Sequence, residues 1–309
     1  MHAIELENVT KTFGAQRAVD GLSLSVPVGS VYGFIGPNGS GKTTTLRMIM
    51  HIIHADRGRI VVLGEQTYSA ANDRVGYLPE ERGLYRQMKV VDLLRFHSQL
   101  KGHAAGRDEI EGWLQRMQLS DWGDRKVEAL SKGMSQKVQF IATVIARPQL
   151  LLLDEPFGGL DPINVEAVRQ VLLELVRGGT TVLFSTHDMS AAESMCDWIL
   201  MIYKGRKVLD GTLREIQRQH GGDVLRVRLE WSDGSDRRLR DLPGVVKVAD
   251  LGNMQELGLA AGADRQHILQ LLMQRGKVEH FELTHPSLRE IFLQIAGGPD
   301  RASPSGDQS

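Results

Sequence analysis

The segment Gly36-Pro37-Asn38-Gly39-Ser40-Gly41-Lys42-Thr43 fills the pattern G-x-x-x-x-G-K-[ST]. It lies between the apolar run Val31-Tyr32-Gly33-Phe34-Ile35 and a helix-forming stretch beginning Thr44-Thr45-Leu46. Strand, glycine-rich loop and helix in that order are the context this pattern requires. The glycines let backbone N–H groups turn inward around an anion, and the helix N-terminus adds its partial positive charge. In such loops the lysine, here Lys42, reaches the β- and γ-phosphates, and the hydroxyl of Thr43, with Thr44 beside it, faces Mg²⁺. A nucleoside triphosphate site in an α/β layer structure is the expectation.

A second segment bears on the fate of the nucleotide. Leu150-Leu151-Leu152-Leu153 is apolar without a period, as expected of a strand buried on both faces of a parallel sheet, and Asp154-Glu155 end it. Both carboxylates then emerge at the carboxyl edge of the sheet, where ligands bind in open α/β folds. Asp154 is placed to help hold Mg²⁺, directly or through water. Glu155 is placed to orient or deprotonate a water attacking the γ-phosphate, which points to hydrolysis as well as binding. Thr180-Thr181-Val182-Leu183-Phe184-Ser185-Thr186-His187 reads as another strand with a polar end, which would set His187 beside Glu155. There a neutral imidazole can bond the γ-phosphate or the attacking water.

Leu130-Ser131-Lys132-Gly133-Met134, upstream of the acidic pair, resembles the LSGGQ signature of ATP-binding cassette (ABC) ATPases. The other landmarks of that family follow in order over residues 3–217. Phe13 matches the aromatic that stacks on adenine, although position alone reads equally well as a loop aromatic closing a small core. Glu80 in Tyr77-Leu78-Pro79-Glu80 stands at the Q-loop position, where it would also face Mg²⁺. Asp161 in Gly159-Leu160-Asp161-Pro162 matches the D-loop, and His187 the switch histidine. The resemblance implies an ATP- and Mg²⁺-dependent ATPase in which Ser131 and Gly133 face the γ-phosphate of nucleotide bound to a second, head-to-tail copy.

The chain departs from the family at three positions: Glu80 stands where Gln is usual, Lys132 where Gly is, and Met134 where Gln is. A carboxylate at position 80 still coordinates a cation, but it accepts hydrogen bonds only and cannot donate as an amide does. Lys132 adds a charge beside the signature residues, either solvated or assisting phosphate binding across the dimer. The wording of residues 76–85 and 130–137 is similar to an exporter branch that includes sodium-extrusion and antibiotic self-resistance ATPases. Those have an extra C-terminal domain and work with a separate membrane permease of the ABC-2 type. That analogy alone supplies the direction of transport.

Composition fits a soluble, cytosolic machine: 41% hydrophobic and 24% charged residues over 309 positions allow about two domains. A formal net charge of −1 gives no broad footprint for nucleic acid, and the single Cys196 excludes an internal disulfide framework. No apolar run approaches the roughly eighteen to twenty residues needed to cross a bilayer. Met1-His2-Ala3-Ile4-Glu5-Leu6-Glu7 has neither the basic start nor the apolar core of a signal peptide. A pore would therefore be another chain, and the protein would sit on the cytoplasmic face of the membrane. The alternative is a soluble ABC ATPase of translation, DNA repair or ATP sensing. The first two of these generally show tandem cassettes, long coiled coils or zinc cysteines, and this chain has one cassette, no sustained heptads and one cysteine.

Alternation in residues 4–10 and 22–26 predicts an antiparallel β subdomain beside the nucleotide core. Residues 43–54 read as the helix behind the loop, with Leu46, Ile49, Met50 and Ile53 on one face and Gly58 as a breaker. A helical subdomain is expected over about 88–145, with Val91, Leu94, Leu100, Ile110, Trp113, Leu114 and Met117 at helical spacing. Ser131 would cap the helix that follows it. The loop and this signature helix are expected on opposite arms of one subunit, so that two subunits complete each site. Domain limits are placed at 1–217 and 222–297, with Gly221-Gly222-Asp223 as linker and a disordered tail over 298–309. The second domain is expected to be a small α+β unit. Its parts are a strand over 225–231 with a hairpin at Asp233-Gly234, a helix over 265–275 stopped by Gly276, a strand over 278–283, and a capping box at Ser287-x-x-Glu290. Its arginines alternate with acids and read as a solvated sheet face.

Overall fold

The computed structural model describes residues 1–65, 72–81, 83–220, 223–232, 238–260 and 262–296. The Gly221-Gly222 linker, the Asp233-Gly234 turn and the tail from Gly297 lie outside those residues. The chain divides into two compact units, Met1–Thr212 and Leu213–Ser309.

In the first unit the strands are β1 (His2–Phe13), β2 (Gln16–Pro27), β3 (Val31–Ile35), β4 (Arg57–Val62), β5 (Val75–Leu78), β6 (Leu150–Asp154), β7 (Thr181–Thr186), β8 (Trp198–Tyr203) and β9 (Arg206–Gly211). The helices are α1 (Lys42–Ile49), α2 (Val90–Leu100), α3 (Arg107–Arg116), α4 (Lys132–Val144), α5 (Pro162–Arg177) and α6 (Met189–Met195). A six-stranded sheet runs in the order β5-β6-β7-β3-β8-β9, parallel except for the last strand. A three-stranded antiparallel sheet, β2-β1-β4, forms the expected β subdomain.

The unbroken leucines of β6 are explained by two cores. Leu151 and Leu153 pack with the helical side, among Phe140, Ile141, Val182 and Phe184. Leu150 and Leu152 pack on the opposite face with Tyr32, Phe34, Leu46, Ile49 and Leu183. With both faces covered there is no solvent side for a polar residue to alternate toward.

Three expectations are corrected in this unit. The helix behind the loop ends at Ile49 rather than 54, because His51 adopts a left-handed φ of 50°. Gly58 breaks no helix: it lies in β4 at φ 95°, where a Cβ would stand 2.6 Å from the Asn8 and Glu7 carbonyl oxygens. Leu100 is 60% exposed, while Val91, Leu94, Ile110, Trp113, Leu114 and Met117 are buried together.

The second unit contains α7 (Leu213–His220), β10 (Val224–Trp231), β11 (Val245–Asp250), β12 (Gln255–Leu259), α8 (Arg265–Arg275), β13 (Gly276–Thr284) and α9 (Leu288–Ala296). Its antiparallel sheet has the order β11-β12-β10-β13. The expected hairpin turn at Asp233-Gly234 lies outside the described residues, and among those β10 is not paired with β11. β10 sits inside the sheet, paired with β12 and β13, and its sequence neighbour β11 lies at the edge. Leu225, Val227 and Leu229 need partners on the same face, and Leu257, Leu259, Ile268 and Leu272 supply them. The capping box forms as expected: Ser287 N donates to Glu290 Oε2 at 2.7 Å, and Glu290 N donates to Ser287 Oγ at 3.2 Å.

Candidate functional site

Three strand ends meet at the carboxyl edge of the parallel sheet. β3 delivers the glycine loop, β6 delivers Asp154 and Glu155, and β7 delivers Ser185, Thr186 and His187. Around them lies a cavity of about 680 Å³ lined by residues that include Phe13, Asn38, Lys42, Thr43, Glu80, Asp154, Glu155 and His187.

The loop's backbone demands glycine at two places. Gly36 would drive a Cβ into the Ile202 carbonyl oxygen, and at Gly41, with φ 111°, a Cβ would stand 2.5 Å from the Ala18 carbonyl oxygen. Gly39 has φ 75° with open space around it, so there the conformation rather than crowding favours glycine. Ser40 Oγ is buried without a hydrogen-bond partner among the described residues.

Lys42 is 6% exposed. Its ammonium folds back on the loop, donating to the carbonyls of Gly36 at 2.7 Å and Pro37 at 3.3 Å, and lies 3.7 Å from Glu155 Oε1. Burial pulls this ammonium below the ordinary lysine range, against the opposing fields of Glu155 and Asp154. Those carbonyl acceptors can be exchanged for phosphate oxygens without moving the lysine far.

Asp154 is 1% exposed. Its Oδ1 accepts from Ser185 Oγ, and its Oδ2 has no partner among the described residues. A buried carboxylate oxygen without a donor is costly unless a cation or water meets it. Thr43 and Asp154 fit Mg²⁺, which takes few protein ligands and completes its shell with water and phosphate. No cluster of three or more His, Cys, Asp or Glu suited to a metal occurs among the described residues.

Glu155 has φ 50°, a left-handed backbone uncommon outside glycine, and the surrounding contacts maintain it. Its N–H faces the Ser185 carbonyl at 3.1 Å and Ser185 Oγ at 3.2 Å. Its carboxylate accepts from Thr186 Oγ1 at 3.4 Å and meets His187 Nδ1 at 3.0 Å. The His187 side chain is 59% exposed and so stands at the mouth of the site. Ser185 and Thr186, which orient the two acids, had no role in the sequence reading beyond a polar strand end; the signal was that polarity inside an otherwise apolar strand.

Phe13 is the last residue of β1, paired with Gln16 rather than within a turn. It is 51% exposed, and its ring borders the cavity. Glu80 is exposed at the cavity rim. Ser131 caps α4, its hydroxyl accepting from Met134 N at 3.3 Å. Leu130 and Met134 pack against the helical-side core. Lys132 and Gln136 border the same cavity as the glycine loop, whereas Ser131 and Gly133 are not among its lining residues. Asp161 caps α5, accepting from Asn164 N at 3.0 Å, and these bonds hold its carboxyl below the usual carboxylate range.

Comparison with known proteins agrees with this geometry. Residues 19–158 match the family model described as ABC transporter, and residues 211–296 match the model of the C-terminal domain of DrrA1-3-like ATP-binding proteins. The uncharacterized ABC transporter ATP-binding protein YhaQ of Bacillus subtilis is 40% identical over 95% of this chain and 98% of its own length. The daunorubicin/doxorubicin resistance ATP-binding protein DrrA of Streptomyces peucetius is 32% identical over 96% of this chain and 93% of its own. A solved ATP-binding subunit of an ABC transporter superposes with TM-score 0.65 at 29% identity, covering 70% of this chain and 92% of its own. A glycine loop cradling a buried lysine, an acidic pair at the sheet edge and full-length relatives of this kind place the chain in the ABC transporter family, as an ATP-binding, ATP-hydrolysing subunit with a DrrA-like C-terminal domain.

Proposed function

We propose that this ATPase drives export through a separate membrane permease of the ABC-2 type, from the cytoplasmic face, as one half of a head-to-tail pair. The observation that carries the catalytic part is the cluster of buried Lys42, half-orphaned Asp154 and strained Glu155 at one strand edge. DrrA, a full-length relative named for resistance to a drug, supports outward transport. No helix among the described residues is long and apolar enough to cross a membrane, which fits a pore supplied by another chain.

On ATP entry Lys42 exchanges the Gly36 and Pro37 carbonyls for β- and γ-phosphate oxygens, while Phe13 stacks on the base. Thr43 and Asp154, with Glu80, would hold Mg²⁺, which would neutralise phosphate charge. Glu155 takes the proton from a water whose oxygen attacks the γ-phosphorus, and the bond to the bridging oxygen breaks to leave ADP and phosphate. His187 keeps the Glu155 carboxylate turned toward that water. Ser131 and Gly133 of one copy meet the γ-phosphate of the other, with Leu130, Lys132 and Met134 shaping that surface and Asp161 at the junction. ATP then acts as a ligand with different affinity for open and closed pairs. A division after Thr212, with a helical subdomain over about 88–145 in the first unit, fits this division of labour.

The test is affinity purification from membranes with ATPase assay of wild type and Glu155→Gln. Co-purification of a multi-span protein, with turnover reduced at least ~100-fold in the mutant, is expected. Near-normal turnover in Glu155→Gln removes Glu155 as base, and purification without a membrane partner removes the transport reading.

A further inference from the structure

The first turns of α4 lie beside the loop that follows Glu155: one hydrogen bond joins them, and two further residues of α4 approach it. Gln136 Nε2 donates to the Pro156 carbonyl at 3.0 Å. The Lys132 side chain lies over Gly159, its Cε and Nζ 3.2 and 3.4 Å from where a Cβ would stand, and Gly159 holds φ 77°. Between them Gly133 faces Leu160, whose Cδ2 would be 3.8 Å from a Cβ there. The other amide atom of Gln136, Oε1, is buried without a partner among the described residues.

The loop itself is short and internally bonded. Gly158 N donates to the Glu155 carbonyl at 3.0 Å, and Leu160 N to the Phe157 carbonyl at 3.2 Å. Phe157 packs edge-on against Phe184 of β7 at 5.7 Å. Two consecutive glycines, 158 and 159, leave the far side of this turn without side chains to anchor it. Any displacement of Pro156 passes through one peptide unit to Glu155, whose left-handed backbone has little room to absorb it.

We propose that Lys132 and Gln136 are positioning residues for hydrolysis: they clasp the loop of residues 156–160 from α4 and so fix the direction of the Glu155 carboxylate in the same subunit. The ion and the amide act from adjacent turns of one helix face. Movement of α4 when Ser131 engages nucleotide across the pair is thereby passed to the base on the other side of the loop. This rests on the reading of Glu155 as the base. Lys132, one of the departures from the family pattern, has in this reading a task inside its own subunit.

The experiment compares Lys132→Gly, Lys132→Arg, Gln136→Ala and Glu155→Gln in the full chain. It measures kcat, KM, nucleotide affinity with a fluorescent ATP analogue, and amide hydrogen exchange over residues 157–160. Expected are a kcat about tenfold lower in Lys132→Gly and Gln136→Ala, equivalent to ~1.4 kcal/mol of barrier. KM and affinity stay within about twofold where the two side chains act through the loop and not on the nucleotide. Exchange of the loop amides accelerates while that of β6 and β7 is unchanged, and Lys132→Arg recovers most of the kcat lost in Lys132→Gly. A raised KM with unchanged kcat would make Lys132 a phosphate contact and overturn the clasp, as would unchanged loop exchange. If Glu155→Gln is inactive while both α4 variants turn over normally, the clasp alone fails. If Glu155→Gln itself turns over, the reading beneath it fails instead.

Discussion

Lys42 illustrates how one residue is set against itself. Its ammonium is buried, and its pKa is lowered, so the charged form is less favourable in the folded chain than in the unfolded one. That penalty is fully present below the lowered folded value and vanishes as pH rises past the ordinary lysine value, so this group adds stability with rising pH across that window. Lys42→Met should leave the nucleotide-free protein at least as stable as wild type at pH 7. Wild type should gain ~2.7 kcal/mol at ATP a hundredfold above its Kd, whereas the mutant gains nothing. Thermal shift with and without ATP checks both; a clearly less stable nucleotide-free mutant would contradict the sign. Gly33 makes a second case. A Cβ there would stand 2.5 Å from Cys196 Sγ, at the end of α6 packed over the sheet. Gly33→Ala should cost about 1–3 kcal/mol by overpacking, with much of it regained in Gly33→Ala/Cys196→Ala, as read by denaturant titration. Burial also raises the Cys196 thiol pKa, so the sulfur acts here as filling rather than as a nucleophile.

Among the elements, those whose patterns are decided locally were legible in the sequence. The helix over Arg265–Arg275 and the capping box before α9 follow from side chains within a few positions of one another. Ser287→Ala removes the hydroxyl of that box and should cost ~1 kcal/mol, seen as roughly fivefold faster hydrogen exchange of the first amides of α9. No change in exchange would mean that packing of Leu288 and Ile291 alone holds the helix start. Elements whose limits depend on distant neighbours were misread. α1 stops five residues early because the chain turns at His51 toward β4, and Gly58 is set by the backbone of β1 rather than by a helix end. Pairing of β10 with β12 and β13 depends on which strands can cover Leu225 and Val227, and no adjacent turn specifies that.

At the scale of the whole molecule, a pair closed around ATP makes a direct prediction. Glu155→Gln should migrate as a dimer on size exclusion with ATP and Mg²⁺ present and as a monomer without them, and removal of Mg²⁺ by EDTA should abolish the dimer. A species unchanged by nucleotide would count against closure by ATP. The sequence by itself determined the chemistry and the class: glycines, lysine, hydroxyls and paired acids at set spacing are needed for any phosphate cradle, and the signature and strand runs narrow it to one family. Tertiary structure alone decided which atoms meet. Ser185 behind Asp154, Thr186 and His187 on Glu155, and α4 on the loop beyond it come from segments thirty or so residues apart or on different elements. Their register is set by parallel pairing of β6 with β7 and by burial on both faces of the sheet, and a periodicity read along one segment contains no term for its neighbour.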